Sequence, residues 1–87
     1  MSEAKSIERN QNMLNYFSGV IKKNRKEKNI AIKQIIEKTG VNYATYMKIE
    51  NGEIFGRVDL LYNVFKMLDL NLAQIICDYE EVEKQLD

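Results

Sequence analysis

The amino-acid sequence predicts an all-α fold, a compact bundle of five helices, on three observations. Its 87 residues hold no proline and only four glycines, so few positions would interrupt a helix. Apolar residues recur at steps of three and four, the spacing that lines one face of a helix. No alternating run of branched and aromatic residues stands between turn signals, so strands find little support. The length suits a single small domain with a modest core.

The first ten or so residues are polar and read as a loose arm, residues 1–11. From Asn12 the pattern tightens, with Met13, Leu14, Phe17, Val20 and Ile21 on one face. The basic run KKNRKEK at 22–28 closes this first helix, where cations suit the helix dipole. A short second helix covers 31–39, and Gly40 supplies the left-handed conformation that ends it at little cost. Asn42 is placed to cap a third helix, which the Asn51-Gly52 pair stops. After the glycine-bounded loop 52–56, a fourth helix sets Val58, Leu61, Val64, Phe65 and Leu68 on one side. A break at 69–71 precedes a fifth helix with Leu72, Ile75 or Ile76, Tyr79, Val82 and Leu86 on its apolar stripe. Its first half should pack on the domain, 12–76, and its second half, 77–87, extends beyond it.

Composition excludes several kinds of function. The chain has no histidine and one cysteine, too few ligands for a zinc cage. No nucleophile has a suitable base beside it, and Glu80-Glu81 lack the burial that would tune them for acid–base work. No glycine-rich loop cradles phosphate. Neither an enzyme, a cofactor nor a small-molecule substrate is expected. Cys77 excludes an internal disulfide and fits a reducing compartment, read as a small, at least half-buried apolar residue. No segment approaches the roughly 18 apolar residues of a membrane span. A soluble cytoplasmic protein is the expectation, with no membrane partner.

The net charge of zero hides an asymmetry. Residues 1–50 carry ten basic side chains against five acids, and residues 51–87 carry three against eight, balances of +5 and −5. One end could face a polyanion while the other repels it.

Residues 31–50 have the sharpest pattern. Two helices of eight to ten residues cannot each stand alone, so they must brace one another on a third element. Ile35, Val41, Tyr46 and Ile49 are spaced to point at the shared interior, leaving Tyr43, Ala44, Met47 and Lys48 on the outer face. Short helix, glycine turn and short helix is the arrangement whose second helix can enter a major groove. With Arg25 at the basic end of the first helix, Ile30, Ile35, Gly40-Val41-Asn42, Ile49-Glu50-Asn51-Gly52 and LLYNVFKMLDLNLAQII at 60–76, the chain resembles the Cro/C1-type, or XRE-like, helix-turn-helix family. The resemblance spans 21–76, about two thirds of the chain, and implies a lambda-repressor-like fold.

The resemblance also implies roles. Asn42, Tyr43, Ala44, Thr45, Met47 and Lys48 fall where the family meets base edges. Arg25 and Glu50 fall on its partly buried ion pair. Asn51 falls where it often touches phosphate, and Arg57 follows a loop that can approach the backbone. Lys22, Lys23 and Lys33 are added as phosphate-binding cations on their charge. Two departures stand out. Ile32 replaces the family's phosphate-binding Gln, leaving Lys33 or Gln34 as substitutes. Ile36 replaces a close-packing Ala, and small Thr39 is the compensating neighbour against overpacking.

Each residue also has a plainer reading. Lys48 is an ordinary solvated lysine, Tyr43 packs half-buried on the second helix, Tyr46 is core, and Asn42 is only a cap. Ile76, Tyr79, Val82 and Leu86 are candidate dimer contacts or a solvated amphipathic extension. The first functional expectation is a transcriptional regulator, a repressor binding double-stranded DNA as a homodimer on a pseudo-palindromic operator. The alternative is a protein-interaction module of the same fold, or an antitoxin, with weak or no DNA binding and a toxin or antirepressor as partner.

Overall fold

The computed structural model describes residues 3–86, with side chains described from 10 to 85. Five helices run α1 (Glu3–Glu27), α2 (Ile32–Thr39), α3 (Tyr43–Glu50), α4 (Val58–Met67) and α5 (Leu72–Leu86). No strand occurs among the described residues.

The helix boundaries follow from turn chemistry. At the ends of α1, α3 and α4 the chain makes the same paired closure. Asn29, Gly52 and Asp69 take left-handed conformations at φ 55, 77 and 58°. In each case the next amide reaches back to the helix: Ile30 N–H to Arg25 O at 3.0 Å, Glu53 N–H to Lys48 O and Leu70 N–H to Phe65 O at 2.8 Å. This double-bonded cap satisfies carbonyls that a helix end otherwise leaves open. Gly40, at φ 74°, ends α2 as expected.

The first helix departs from expectation. Its backbone is helical from Glu3, not from near Asn12, so residues 3–11 continue the helix where a flexible arm was expected; residues 1 and 2 lie outside the described residues. The physical reason is that Ala4, Lys5, Glu8 and Arg9 are good helix formers and nothing before Gly19 breaks the run.

The core gathers around Phe17. Its ring lies 5.9 Å from Phe55 and 6.2 Å from both Phe65 and Tyr79, with Tyr16 also 5.1 Å from Tyr79. Such offset and edge-on contacts add to the area that the rings bury. Ile21, Ile35, Tyr46, Val64 and Leu68 complete the interior with no exposed surface. Lys28 Nζ donates to the Leu68 carbonyl, tying the end of α1 to the end of α4.

Three sequence readings change here. Val58, expected on the apolar side of α4, is 74% exposed, because the first helical position precedes the turn that meets the core. Ile36 is half-buried, outside the fully buried core where overpacking was expected. Thr39 donates to Ile35 O at 2.7 Å and accepts from Val41 N–H at 3.4 Å, a turn-building role in place of a compensating small residue. Ile32 packs partly buried against the core.

Two glycines predict opposite responses to added bulk. A Cβ at Gly56 would sit 2.7 Å from Ile49 Cδ1, and Gly56 has φ 75°. Gly56→Ala is expected to destabilise by about 1–3 kcal/mol. Nothing lies within 4 Å of a Cβ at Gly19, mid-helix in α1. Gly19→Ala should stabilise by about 0.5–1 kcal/mol. Urea denaturation of both variants reads the two signs.

Candidate nucleic-acid interface

The candidate surface is built from the two ends of α3. Asn42 precedes the helix in extended conformation, and its side-chain oxygen accepts from Ala44 N–H at 2.8 Å and Thr45 N–H at 3.4 Å. This satisfies amides that the first turn leaves open. At the far end, Gly52 turns the chain under α1. Gln11 donates to the Gly52 carbonyl at 3.3 Å, and a Cβ at Gly52 would meet Asn15 Oδ1 at 3.2 Å and Ser18 Oγ at 3.3 Å. The polar face of α1 therefore positions the loop after α3, a contact that periodicity alone could not reveal.

Between these ends, α3 divides cleanly. Tyr46, Ile49 and Glu50 are buried. Tyr43 is 60% exposed, and Asn42, Ala44 and Lys48 are exposed with it. Thr45 and Met47 are half-buried, and Met47 packs against the core. Of the six residues expected to face a groove, four are therefore fully presented. Met47 is partly buried against the core, so it is only half presented on the outer face where the sequence placed it.

The expected ion pair forms. Arg25 Nη2 and Nε donate to Glu50 Oε1 at 2.6 and 3.1 Å, while Nη1 reaches the Ile30 carbonyl at 3.3 Å. The side chains are 14% and 3% exposed. The hydrogen bond to Glu50 holds the Arg25 pKa above its ordinary value, against the lowering effect of burial. Tyr46 completes the cluster. Its hydroxyl and Glu50 Oε2 are buried without a hydrogen-bond partner of normal geometry. Burial raises the Tyr46 pKa above its ordinary 10.0, the Glu50 carboxylate raises it further, and Arg25 opposes both.

The cations expected to meet phosphate differ in exposure. Lys23 and Lys33 are exposed and Lys22 is half-buried. Asn51 is exposed. Arg57 is exposed but bonded to Asp59 Oδ2 at 3.0 Å, so a phosphate would have to compete with that carboxylate. Glu53, also exposed, follows Asn51 and Gly52, an acid close to an expected polyanion contact that the sequence reading passed over.

The expected dimer stripe is split. Ile76 is 38% exposed and lines an open groove of about 580 Å³ between α4 and α5 with Tyr62, Lys66 and Leu72. Val82 is half-buried. Tyr79 is 3% exposed among the rings of α1, so it belongs to the core and offers nothing to a second copy. The extension beyond residue 76 is thereby anchored to the domain. The Leu86 side chain lies outside the described residues. Cys77, read as buried or half-buried, is exposed, because it falls between the positions that face α1.

Among the described residues no group of three His, Cys, Asp or Glu could hold a metal ion, and no single helix is long and apolar enough to cross a membrane. Comparison with models of protein families, with curated proteins and with solved structures finds no match.

Two substitutions separate the buried charges from the buried hydroxyl. Glu50→Ala leaves Arg25 without its partner and should cost about 3–5 kcal/mol. Tyr46→Phe removes an unpartnered hydroxyl and should be neutral or mildly stabilising. The Tyr46 pKa is raised on folding, so its contribution is complete below about pH 10, the unfolded value, and declines as pH rises above it. Urea melts between pH 8 and 11 should show that alkaline loss, reduced in Tyr46→Phe.

Proposed function

We propose that the chain is a sequence-specific DNA-binding transcriptional regulator with a lambda-repressor-like helix-turn-helix, a cytoplasmic repressor acting as a homodimer on a pseudo-palindromic operator. The observation that carries this reading is the division of α3. Its inward face is locked by the Arg25–Glu50 pair, while its first turn and Lys48 stand clear of the protein. The first turn leaves the side chains of Asn42, Tyr43 and Ala44 exposed for another molecule.

In this reading Lys22, Lys23 and Lys33 meet phosphates, which supply affinity and register without reading sequence. Asn51 adds a neutral phosphate contact. Lys48, Tyr43 and Ala44 reach base edges. One short helix covers few base pairs, so two copies on half-sites about one helical turn apart would supply specificity. Ile76 and the groove beside it are the surface left for the second copy.

A second reading rests on that same groove. Tyr62, 50% exposed, and Ile76 present apolar surface away from α3, and Glu53 and Asp59 stand where phosphates would approach. A module that binds a protein partner, as an antitoxin binds a toxin, would use this side and need no DNA.

Binding to the DNA upstream of the chain's own gene, against unrelated DNA across a salt series, separates the two. The regulator should prefer its site by at least about 10³-fold. Three lysines in each of two copies predict a salt slope of roughly −5, and Lys33→Ala should reduce its magnitude by about 2. Lys48→Glu should abolish binding while leaving the fold intact. Absence of binding at low salt would overturn the DNA reading.

A further inference from the structure

The outward groups of α3 are biased toward one kind of hydrogen bonding. Oδ1 of Asn42 accepts two backbone amides, from Ala44 and Thr45, which fills both of its lone pairs. Because backbone N–H groups can only donate, they also fix which end of the carboxamide faces them. What remains of Asn42 for another molecule is its NH₂ group, a donor. Lys48, one turn beyond Ala44 on the same face, carries only donors. Ala44 offers a methyl. The carboxylate of α3, Glu50, is 2% exposed and bonded to Arg25. The start of α2 repeats the pattern, since Gln34 Oε1 accepts from Ala31 N–H at 2.7 Å and leaves its own NH₂ outward-bound. Tyr43 and the half-buried Thr45 can both donate and accept, and the exposed ring of Tyr43 is chiefly a surface for apolar contact.

This inventory constrains what the helix can read. In the major groove guanine presents two acceptors, N7 and O6, and thymine presents the O4 acceptor beside a methyl. Adenine instead pairs an acceptor with the N6 donor, and cytosine presents the N4 donor. Reading adenine with a carboxamide requires its oxygen to accept from N6 while its nitrogen donates to N7. Asn42 could do so only by releasing both amides and uncapping α3.

Resting on the DNA-binding reading above, we propose that α3 recognises the keto bases: guanine through Lys48, and thymine through Ala44 and Tyr43. Asn42 contributes a donor and a cap and reads no adenine. The specificity of the site is therefore set by a hydrogen bond inside the protein, which removes an acceptor before any DNA arrives.

The test is selection of sites by the full chain from randomised double-stranded DNA, followed by affinities for single-base replacements. The expected half-site holds a guanine whose replacement by adenine lowers affinity about tenfold or more, and Lys48→Ala erases that difference. Asn42→Ser keeps a side-chain cap while removing the carboxamide, and no preference for adenine should be lost with it. An adenine position worth tenfold whose preference vanishes in Asn42→Ser would overturn the proposal while leaving DNA binding in place. Salt-sensitive binding that selects no base would overturn it too. Failure to bind any DNA at low salt would remove the underlying reading, and the proposal with it.

Discussion

The guanidinium of Arg25 holds three parts of the chain at once. It bonds the carboxylate at the end of α3 through two nitrogens and the Ile30 carbonyl before α2 through the third. Eight-residue helices have little stability of their own, so the pair α2 and α3 depends on being fixed from outside. Apolar contacts from Ile35 and Ile49 supply attraction but little direction. The planar fork of an arginine supplies direction. It sets the angle at which α3 leaves the domain, and with it the identity of the residues facing out.

Burying that charge has a local consequence. Glu50 uses one oxygen for Arg25, and its second oxygen and the Tyr46 hydroxyl share a pocket without well-formed bonds. Such groups resist further charge, which is why the Tyr46 phenol is held neutral beyond its usual range. The aromatic group around Phe17 and the buried Tyr46 belong to one core, joined through Ile21 on the same face of α1.

Much of this architecture was legible in the residues, and the failures have physical causes. Gly40 and Gly52 announce their turns because few other residues adopt positive φ cheaply. Asn42 announces a cap by its short acceptor. The equivalent turns at Asn29 and Asp69 were readable only as breaks, since polar residues adopt that conformation less often and give no distinct signal. The long α1 was hidden because polar residues with good propensity resemble a solvated arm when no apolar stripe marks them. Tyr79 was misassigned for a different reason. Periodicity identifies a buried face but not which partner buries it, and here the partner is α1 of the same chain. The Arg25–Glu50 pair was indicated by family resemblance alone, because a spacing of 25 residues carries no local pattern. The competing acids Glu53 and Asp59 were visible in the sequence, but their bearing on Asn51 and Arg57 depends on three-dimensional placement.

The seat of Tyr79 also limits how two copies could join. A packed helix such as α5 can be lent to a neighbour, each copy filling the other's vacancy. Here α5 is pinned by a ring packed against both Tyr16 and Phe17 of α1. Lending it would first draw that ring into water and open the aromatic centre to which Phe55 and Phe65 also belong. Exchange of α5 between copies would therefore require that aromatic centre to open first, whereas contact through surfaces already formed would not.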